Sequence, residues 1–379
     1  MLPSWGARPG EAADPSKYLE KGYPAKGRYR LFEGFGGWWP GKIPARDIAE
    51  RYGDISPGEF NAGFVARVGG DLRLAGWSPW STDADGAVFP MQGELYGMVR
   101  PFEPLTVYGS VGLASSRSRL DVSPNDAKFG YDDALSYLAL REWFVKLDRL
   151  PYNSMVRAGR FSPGYGWRIA DHTSFVRRDL GFDQNRQVFG VEASTNPNYP
   201  FVVGSAFVEG LDGWPGDLCN GAGAECPQAG RGAAVTGGVR ELGYQLFGSV
   251  LAVQRDTGPD EVTAGLSWGV AWYPLVYLGE MDYRRQTPGG DLDPTNGLFA
   301  YHELDLLVAR GVNLKLKYDW RDPSLHYRFD EVYRLTGGVE WHPWTFVHIE
   351  AQHRTAMSVM DGALGVASHE LLLITHAWC

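Results

Sequence analysis

The feature that most constrains this chain is a two-residue rhythm of apolar side chains, sustained in segment after segment to the C-terminus. From Phe60 the even positions read Phe60, Ala62, Phe64, Ala66, Val68, then Leu72 and Leu74, while the odd ones include Asn61, Val65, Arg67, Asp71 and Arg73. Extended backbone sends those two sets to opposite faces of a sheet. One face then suits lipid and the other water. Such segments recur about sixteen times, separated by connections that are alternately short and long, the pattern of a membrane-spanning antiparallel up-and-down β-barrel. A soluble sandwich would carry more fully apolar strands and would not need its long loops on one side. A propeller would repeat a blade of ~40–45 residues, and the chain has no such repeat.

Composition agrees. A chain of 379 residues is compatible with one large barrel. No run approaches the ~18 apolar residues of a spanning helix; the purest is Leu371-Leu372-Leu373-Ile374. A mean hydropathy of -0.27 fits a water-filled barrel, because only alternate strand residues meet lipid. Aromatics at 13% and 49 glycines favour strands bounded by interfacial girdles. The net charge of -9 argues against nucleic acid as a partner. Much of the acid lies in expected loops, as at Asp121, Asp126, Asp132, Asp133, Asp291 and Asp293, where it is solvated or meets a divalent cation or lipopolysaccharide.

Residues 1–58 differ in kind: they are rich in Pro and Gly and lack sustained alternation, with a short helix expected around Ala45–Arg51. They are expected outside the barrel wall, as a plug, a periplasmic partner site or a tail. The run Gly34-Phe35-Gly36-Gly37-Trp38-Trp39-Pro40 favours docking inside or below the barrel. The barrel itself is expected over residues 59–379. Met1–Gly10 lacks the apolar core of a signal peptide. Export is therefore expected to use a signal removed from, or lying upstream of, these residues.

The first strand is expected over about 60–77, then a polar loop Ser78–Pro90 and a second strand over 91–100. Tight turns are expected at Pro101–Pro104, Asp148–Tyr152, Asn196–Asn198, Glu241–Gly243, Tyr273–Pro274, Arg310–Val312 and Trp341–Trp344. Long connections are expected at 117–133, 161–185, 211–232, 286–298 and 355–367, and a final strand over 368–378. An even count places both termini on the short-turn side.

Sixteen strands enclose an aqueous channel rather than a side-chain-filled interior. Charged residues on spanning strands avoid lipid and so mark the lumen face. They are Arg67, Arg73, Arg100, Glu142, Lys146, Glu280, Asp282, Arg284, Glu303, Asp305, Lys315, Lys317, Arg334, Glu340, Glu350 and Arg354. For most of these, mutual pairing across neighbouring strands is the simplest role.

The strongest local signal is the connection after the fifth strand, from Gly159-Arg160-Phe161 through Tyr165-Gly166-Trp167 to Arg177-Arg178-Asp179-Leu180, where aromatics and cations interleave closely. With the barrel plan over about 60–379, this third long loop resembles that of general 16-stranded porins. The resemblance implies passive diffusion of small hydrophilic solutes or ions through an outer-membrane channel, with homotrimers among the assemblies to expect. It implies a loop folded into the pore, with Arg168, Arg177 and Arg178 on a basic side of a constriction and Asp171, Asp179 and Asp183 opposing. The Tyr-Gly-x-Arg…Asp-His-Thr…Arg run is also similar, more loosely, to porin-like barrels that sheathe multihaem cytochromes in electron transfer across the outer membrane. For Asp171-His172-Thr173 the plainer reading is a hydrogen-bond cluster that anchors the loop.

Catalytic and metal chemistry find little support. His172 with Asp171 and Ser174 lacks the separation that lets a triad converge, and no Gly-x-Ser-x-Gly elbow is present. The eight histidines are scattered, without a His-x-x-x-His pair. No Cys-x-x-Cys-His occurs, so no covalently held c-type haem, and no other cofactor, is expected. Cys219 and Cys226 bracket a Gly-rich stretch and are expected to form a loop disulfide in an oxidising compartment, leaving Cys379 over.

Overall fold

A computed structural model describes residues 65–378, apart from 81–85, 103, 114–137, 170, 172, 183–186, 198, 210–229, 242, 257, 290–291, 328, 345 and 361–362. The alternating segments become strands β1 (Val65–Pro79), β2 (Ala87–Phe102), β3 (Leu105–Leu113), β4 (Leu138–Leu150), β5 (Ser154–Phe161) and β6 (Val188–Thr195). Then follow β7 (Pro200–Glu209), β8 (Gly230–Arg240), β9 (Tyr244–Arg255), β10 (Asp260–Trp272) and β11 (Leu275–Thr287). The series ends with β12 (Thr295–Ala309), β13 (Val312–Asp322), β14 (Val332–Trp344), β15 (Val347–Met360) and β16 (Ala363–Trp378). Each strand pairs antiparallel with its sequence neighbours, and β1 pairs β16 from Asp71↔Trp378 to Pro79↔Glu370, so the sheet closes. Closure removes the unpaired edges that an open sheet would leave in lipid.

The period-2 pattern fixes the faces. Leu314, Leu316 and Tyr318 of β13 are exposed on the outside, whereas Lys317 and Asp319 between them are buried toward the lumen. The outer apolar set continues round the barrel through residues such as Leu72, Val145, Val191, Val250, Leu266, Leu335 and Leu373. At the short-turn end, Tyr152, Tyr199, Tyr244, Trp272 and Trp344 are exposed and form an outer aromatic band. Amphipathic rings suit the level where hydrocarbon gives way to headgroups.

Several boundaries differ from expectation. β11 runs to Thr287 and β12 begins at Thr295, both inside the connection expected over 286–298, and β14 continues to Trp344 through the turn expected at Trp341–Trp344. The loop expected over 355–367 is mostly strand: β15 and β16 remain paired at Met357↔Ala367 and Met360↔Ala363, with a bulge between Met357 and Val359. Ala, Met, Ser and Val at 356–360 give no contrast between faces, but a backbone ladder needs none. The loop expected over Ser78–Pro90 is shorter too, since β2 already pairs β1 at Trp77↔Ala87. Pro90 is accommodated by the register shift between Arg73 and Leu74, a bulge being one of the few places where a strand tolerates a residue without an N–H. The expected turn Asp148–Tyr152 begins later, as a short 3-10 turn over Pro151–Asn153. Residues 1–64, and with them the expected N-terminal segment and its short helix, lie outside the described residues. So do Cys219, Cys226 and Cys379.

Candidate functional site: the lumen and its inserted loop

The segment after β5 does not arch away from the barrel. Its apolar residues turn into the lumen and meet an inner wall that is apolar where they land. Tyr165, Phe175, Val176, Leu180 and Phe182 are buried in one cluster with Phe161, Val188, Phe207, Leu251, Val253, Phe299 and Tyr301. Tyr165 stacks on Phe182 with ring centroids 4.3 Å apart. Burying an aromatic or large aliphatic side chain contributes roughly 1.5–3 kcal/mol, so this cluster offsets a substantial part of the cost of ordering the loop. Within it lies one helical turn, α1 (Phe175–Arg178), too short to persist without these contacts.

Polar anchors then fix the loop around most of the wall. On β4, Glu142 accepts the Ser162 N–H at 2.9 Å and its hydroxyl at 3.0 Å. On β8 the Thr236 hydroxyl donates to the Gly164 carbonyl at 2.8 Å, and on β9 the Ser249 hydroxyl accepts the Gly166 N–H at 3.1 Å. Two carboxylates of β11 hold the loop's aromatic pair: Tyr165 donates to Asp282 at 2.7 Å, and Glu280 accepts the Trp167 N–H at 3.2 Å. On β13, Asp319 accepts the Phe175 N–H at 3.2 Å while paired to Arg334 of β14 at 2.9 Å. The Arg334 and Arg321 guanidinium groups lie 4.7 and 5.1 Å from the Phe175 ring centroid. Gly166 sits at φ 55 against the Glu280 carboxylate, where an added Cβ would collide. Only glycine takes that turn without strain.

Among the described loop charges, Asp171 pairs with wall cations, Lys317 at 3.1 Å and Arg354 at 3.3 Å, and accepts the Thr173 hydroxyl at 2.6 Å. Arg354 also donates to the Thr173 hydroxyl at 2.9 Å. The Asp171–Thr173 motif is thus the loop-anchoring cluster that the sequence suggested. Burial would raise the Asp171 carboxyl, but Lys317 and Arg354 hold it well below the usual carboxylate range. Asp179 sits between its neighbour Arg178 at 2.9 Å and Arg321 of β13 at 2.8 Å, while its carbonyl accepts Arg284 at 2.6 Å. Arg177 donates to the Trp167 carbonyl at 3.3 Å. Arg168 is exposed and donates to the Ser162 and Pro163 carbonyls at 2.6 and 3.3 Å; among the described residues no carboxylate pairs with it. His172 and Asp183 lie outside the described residues.

The remaining strand charges share the inner face and pair chiefly with one another. Arg100 and Lys146 converge on Asp148 at 3.3 and 3.0 Å, and Arg73 lies 3.5 Å from Asp71. Lys315 bridges Glu303 and Glu340, Asp305 stands opposite Lys315, and Glu350 lies 3.6 Å from Lys317. Arg67, on the same alternation as Asp71 and Arg73, is exposed near the start of β1. Sequence reading missed the loop's apolar anchors, Tyr165, Phe175, Leu180 and Phe182, and their polar counterparts Asp319, Arg321 and Ser249. The aromatic interleaving was the available signal for the first group. The second shows only once strands distant in sequence face one lumen.

A closed, antiparallel sixteen-stranded barrel with an apolar outside, a charged inside and a loop folded into its lumen defines the fold of an outer-membrane porin-type β-barrel. No family model matches the chain, and no curated protein is similar to it in sequence. Solved structures are similar. The trimer form of in-vitro folded OmpT, an outer membrane protein of Vibrio cholerae, aligns with a TM-score of 0.60 at 10% identity, covering 84% of this chain and 100% of that one. An anion-selective porin from Comamonas acidovorans aligns at 0.58 with 10% identity, covering 83% and 100%. OmpF of Salmonella typhi, in complex with daunomycin, aligns at 0.58 with 8% identity, covering 85% and 99%. At such identities the likeness is one of fold.

Proposed function

We propose that this chain is an outer-membrane channel for passive diffusion of small hydrophilic solutes or ions, narrowed by the loop over 161–185. The observation that carries this reading is the seating of that loop. It is bonded to β4, β8, β9, β11, β13 and β15, so it crosses the lumen rather than lining one side. The exposed outer belt and aromatic band fit lipid contact, and the short-turn end is then periplasmic. Residues 1–58 form an extension on that side in this reading, with the barrel over 59–379. A homotrimer is the assembly in keeping with the OmpT trimer form. None of the residues assigned to the lumen is given a catalytic role. Sheathing of a multihaem cytochrome ranks lower, because the seated loop occupies space that a folded partner would need. Planar-bilayer recording of the purified chain tests the proposal: discrete open steps are expected, and a silent barrel would sink it.

A further inference from the structure

Where the inserted loop leaves β5, one residue holds two opposite charges apart. Ser162 presents its N–H and hydroxyl to Glu142 Oε1 of β4, at 2.9 and 3.0 Å, and its carbonyl to Arg168 Nη2, at 2.6 Å. Glu142 and Arg168 are thus fixed on either side of Ser162, and no ion pair joins them. Each keeps a free half. Arg168 Nη2 is taken up by the Ser162 carbonyl and, at 3.3 Å, by that of Pro163, so the hydrogens on Nε and Nη1 of this exposed side chain have no partner among the described residues. Glu142 Oε2 likewise accepts no hydrogen bond from a described residue. The charges around them are already matched. Arg157, which also donates to the Ser162 carbonyl at 3.4 Å, is paired with Glu192 at 2.8 Å. Arg141 is paired with Glu94 and Lys146 with Asp148, both at 3.0 Å. One cation and one carboxylate remain, set across a single residue. Beside them the wall turns apolar: Phe144, two residues beyond Glu142 on the same inner face of β4, stacks on Tyr108 of β3 with ring centroids 4.9 Å apart.

On the reading of the lumen as a solute path, on which this assignment rests, we propose that Arg168 and Glu142 form a subsite for small zwitterions: free α-amino acids with uncharged side chains. Ser162 is itself one amino-acid unit. Its amino end meets the carboxylate and its carboxyl end the guanidinium, so the two side chains stand apart by the span of an amino acid. A free amino acid can repeat that pattern on the halves that Ser162 leaves open. Its carboxylate takes the unused N–H groups of Arg168, and its ammonium donates to Glu142 Oε2, both as charge-assisted hydrogen bonds. Phe144 and Tyr108 offer its side chain an apolar surface. A simple anion would gain Arg168 but face Glu142, and a simple cation the reverse, so a solute that carries both charges is favoured over either.

Saturation-transfer NMR tests it on the folded full chain in nonionic micelles at pH 7.5, with L-phenylalanine as probe and protein-free micelles as blank. The comparators are 3-phenylpropanoate and 2-phenylethylamine, each lacking one charge of the probe. L-Phenylalanine should saturate one site, and each comparator should bind roughly 10–100-fold more weakly, the loss of one charge-assisted contact. Arg168→Gln and Glu142→Gln should each weaken L-phenylalanine by a similar factor while acting oppositely on the comparators. Glu142→Gln should improve 3-phenylpropanoate, and Arg168→Gln should improve 2-phenylethylamine. A merely structural role would weaken all three probes alike. Glutamine at 142 can still accept the Ser162 N–H, and heat-modifiable migration on a gel checks that each variant is folded. Arg231→Gln, at an exposed arginine bonded to Gln254 of the next strand, should bind as the parent does. L-Phenylalanine binding no better than the comparators, or variants that lose all three alike, would overturn the proposal. Selective binding by a barrel that stays silent in planar bilayers would sink the channel reading and leave this site standing.

Discussion

At the scale of single residues, the lumen separates charges that anchor from charges that face solute. Asp171, Lys317 and Arg354 have side chains only 9%, 4% and 5% exposed, so they are structural. Asp171→Asn leaves Lys317 and Arg354 short of a counter-charge. It should cost about 3 kcal/mol, read as a lower unfolding midpoint in detergent. The pH dependence follows from the depressed Asp171 carboxyl. A group whose folded pKa lies below its unfolded one stabilises fully above the unfolded value, near ~3.9, and loses that contribution as pH falls through the folded value. The loop should therefore stay seated at pH 5 and loosen only in stronger acid, seen as a step in conductance on acidification. Arg168 is an exposed loop arginine that, among the described residues, pairs with no carboxylate. Neutralising Arg168, Arg177 and Arg178 together should move ion preference toward cations, and Arg168→Gln alone should give most of that shift in reversal potential. Arg178→Gln should give little, because Asp179 already offsets its charge. Equal shifts from the two single variants would refute this division.

At the scale of elements, the inserted loop behaves as a small core of its own. Replacing residues 164–182 with a short Gly-Ser linker should leave a closed barrel, because the ladder from β5 to β6 does not run through the loop. Conductance should rise several-fold, and an unchanged conductance would place the constriction elsewhere. Gly166→Val is a milder test. It strains a left-handed turn and collides with Glu280, so it should unseat the loop by more than about 1 kcal/mol while sparing the strands. Limited proteolysis would report it, with cleavage near 166 in the variant and protection in the parent. The loop was partly legible in advance. Its position after the fifth strand and its aromatic–cation interleaving pointed inward, and Asp171-His172-Thr173 suggested an anchor. Its partners were not legible, because Asp282, Asp319 and Arg354 lie 117 to 183 residues away along the chain from the loop residues they hold and meet it only across the lumen.

At the scale of the whole molecule, a closed barrel satisfies every strand by its neighbour and should resist detergent, so unheated protein should migrate faster on a gel than boiled protein. A circular-dichroism spectrum dominated by strand and recovery in the membrane fraction should accompany it; a fully soluble chain would refute the barrel. What the sequence determined by itself was the number of strands, their order, and which side of each faces lipid, because period-2 alternation and turn residues act within a few positions. Strand ends were less certain where small side chains gave both faces the same character, as at 356–360. Only the tertiary structure decided which charges meet. Closing the sheet brings β1 to β16, Asp71 to His376, and lines up His342, His348 and His376, whose spacing along the chain shows no motif. The same closure sets apolar inner residues such as Phe207, Leu251 and Phe299, out of step with a wet lumen when read strand by strand, around the inserted loop that packs on them.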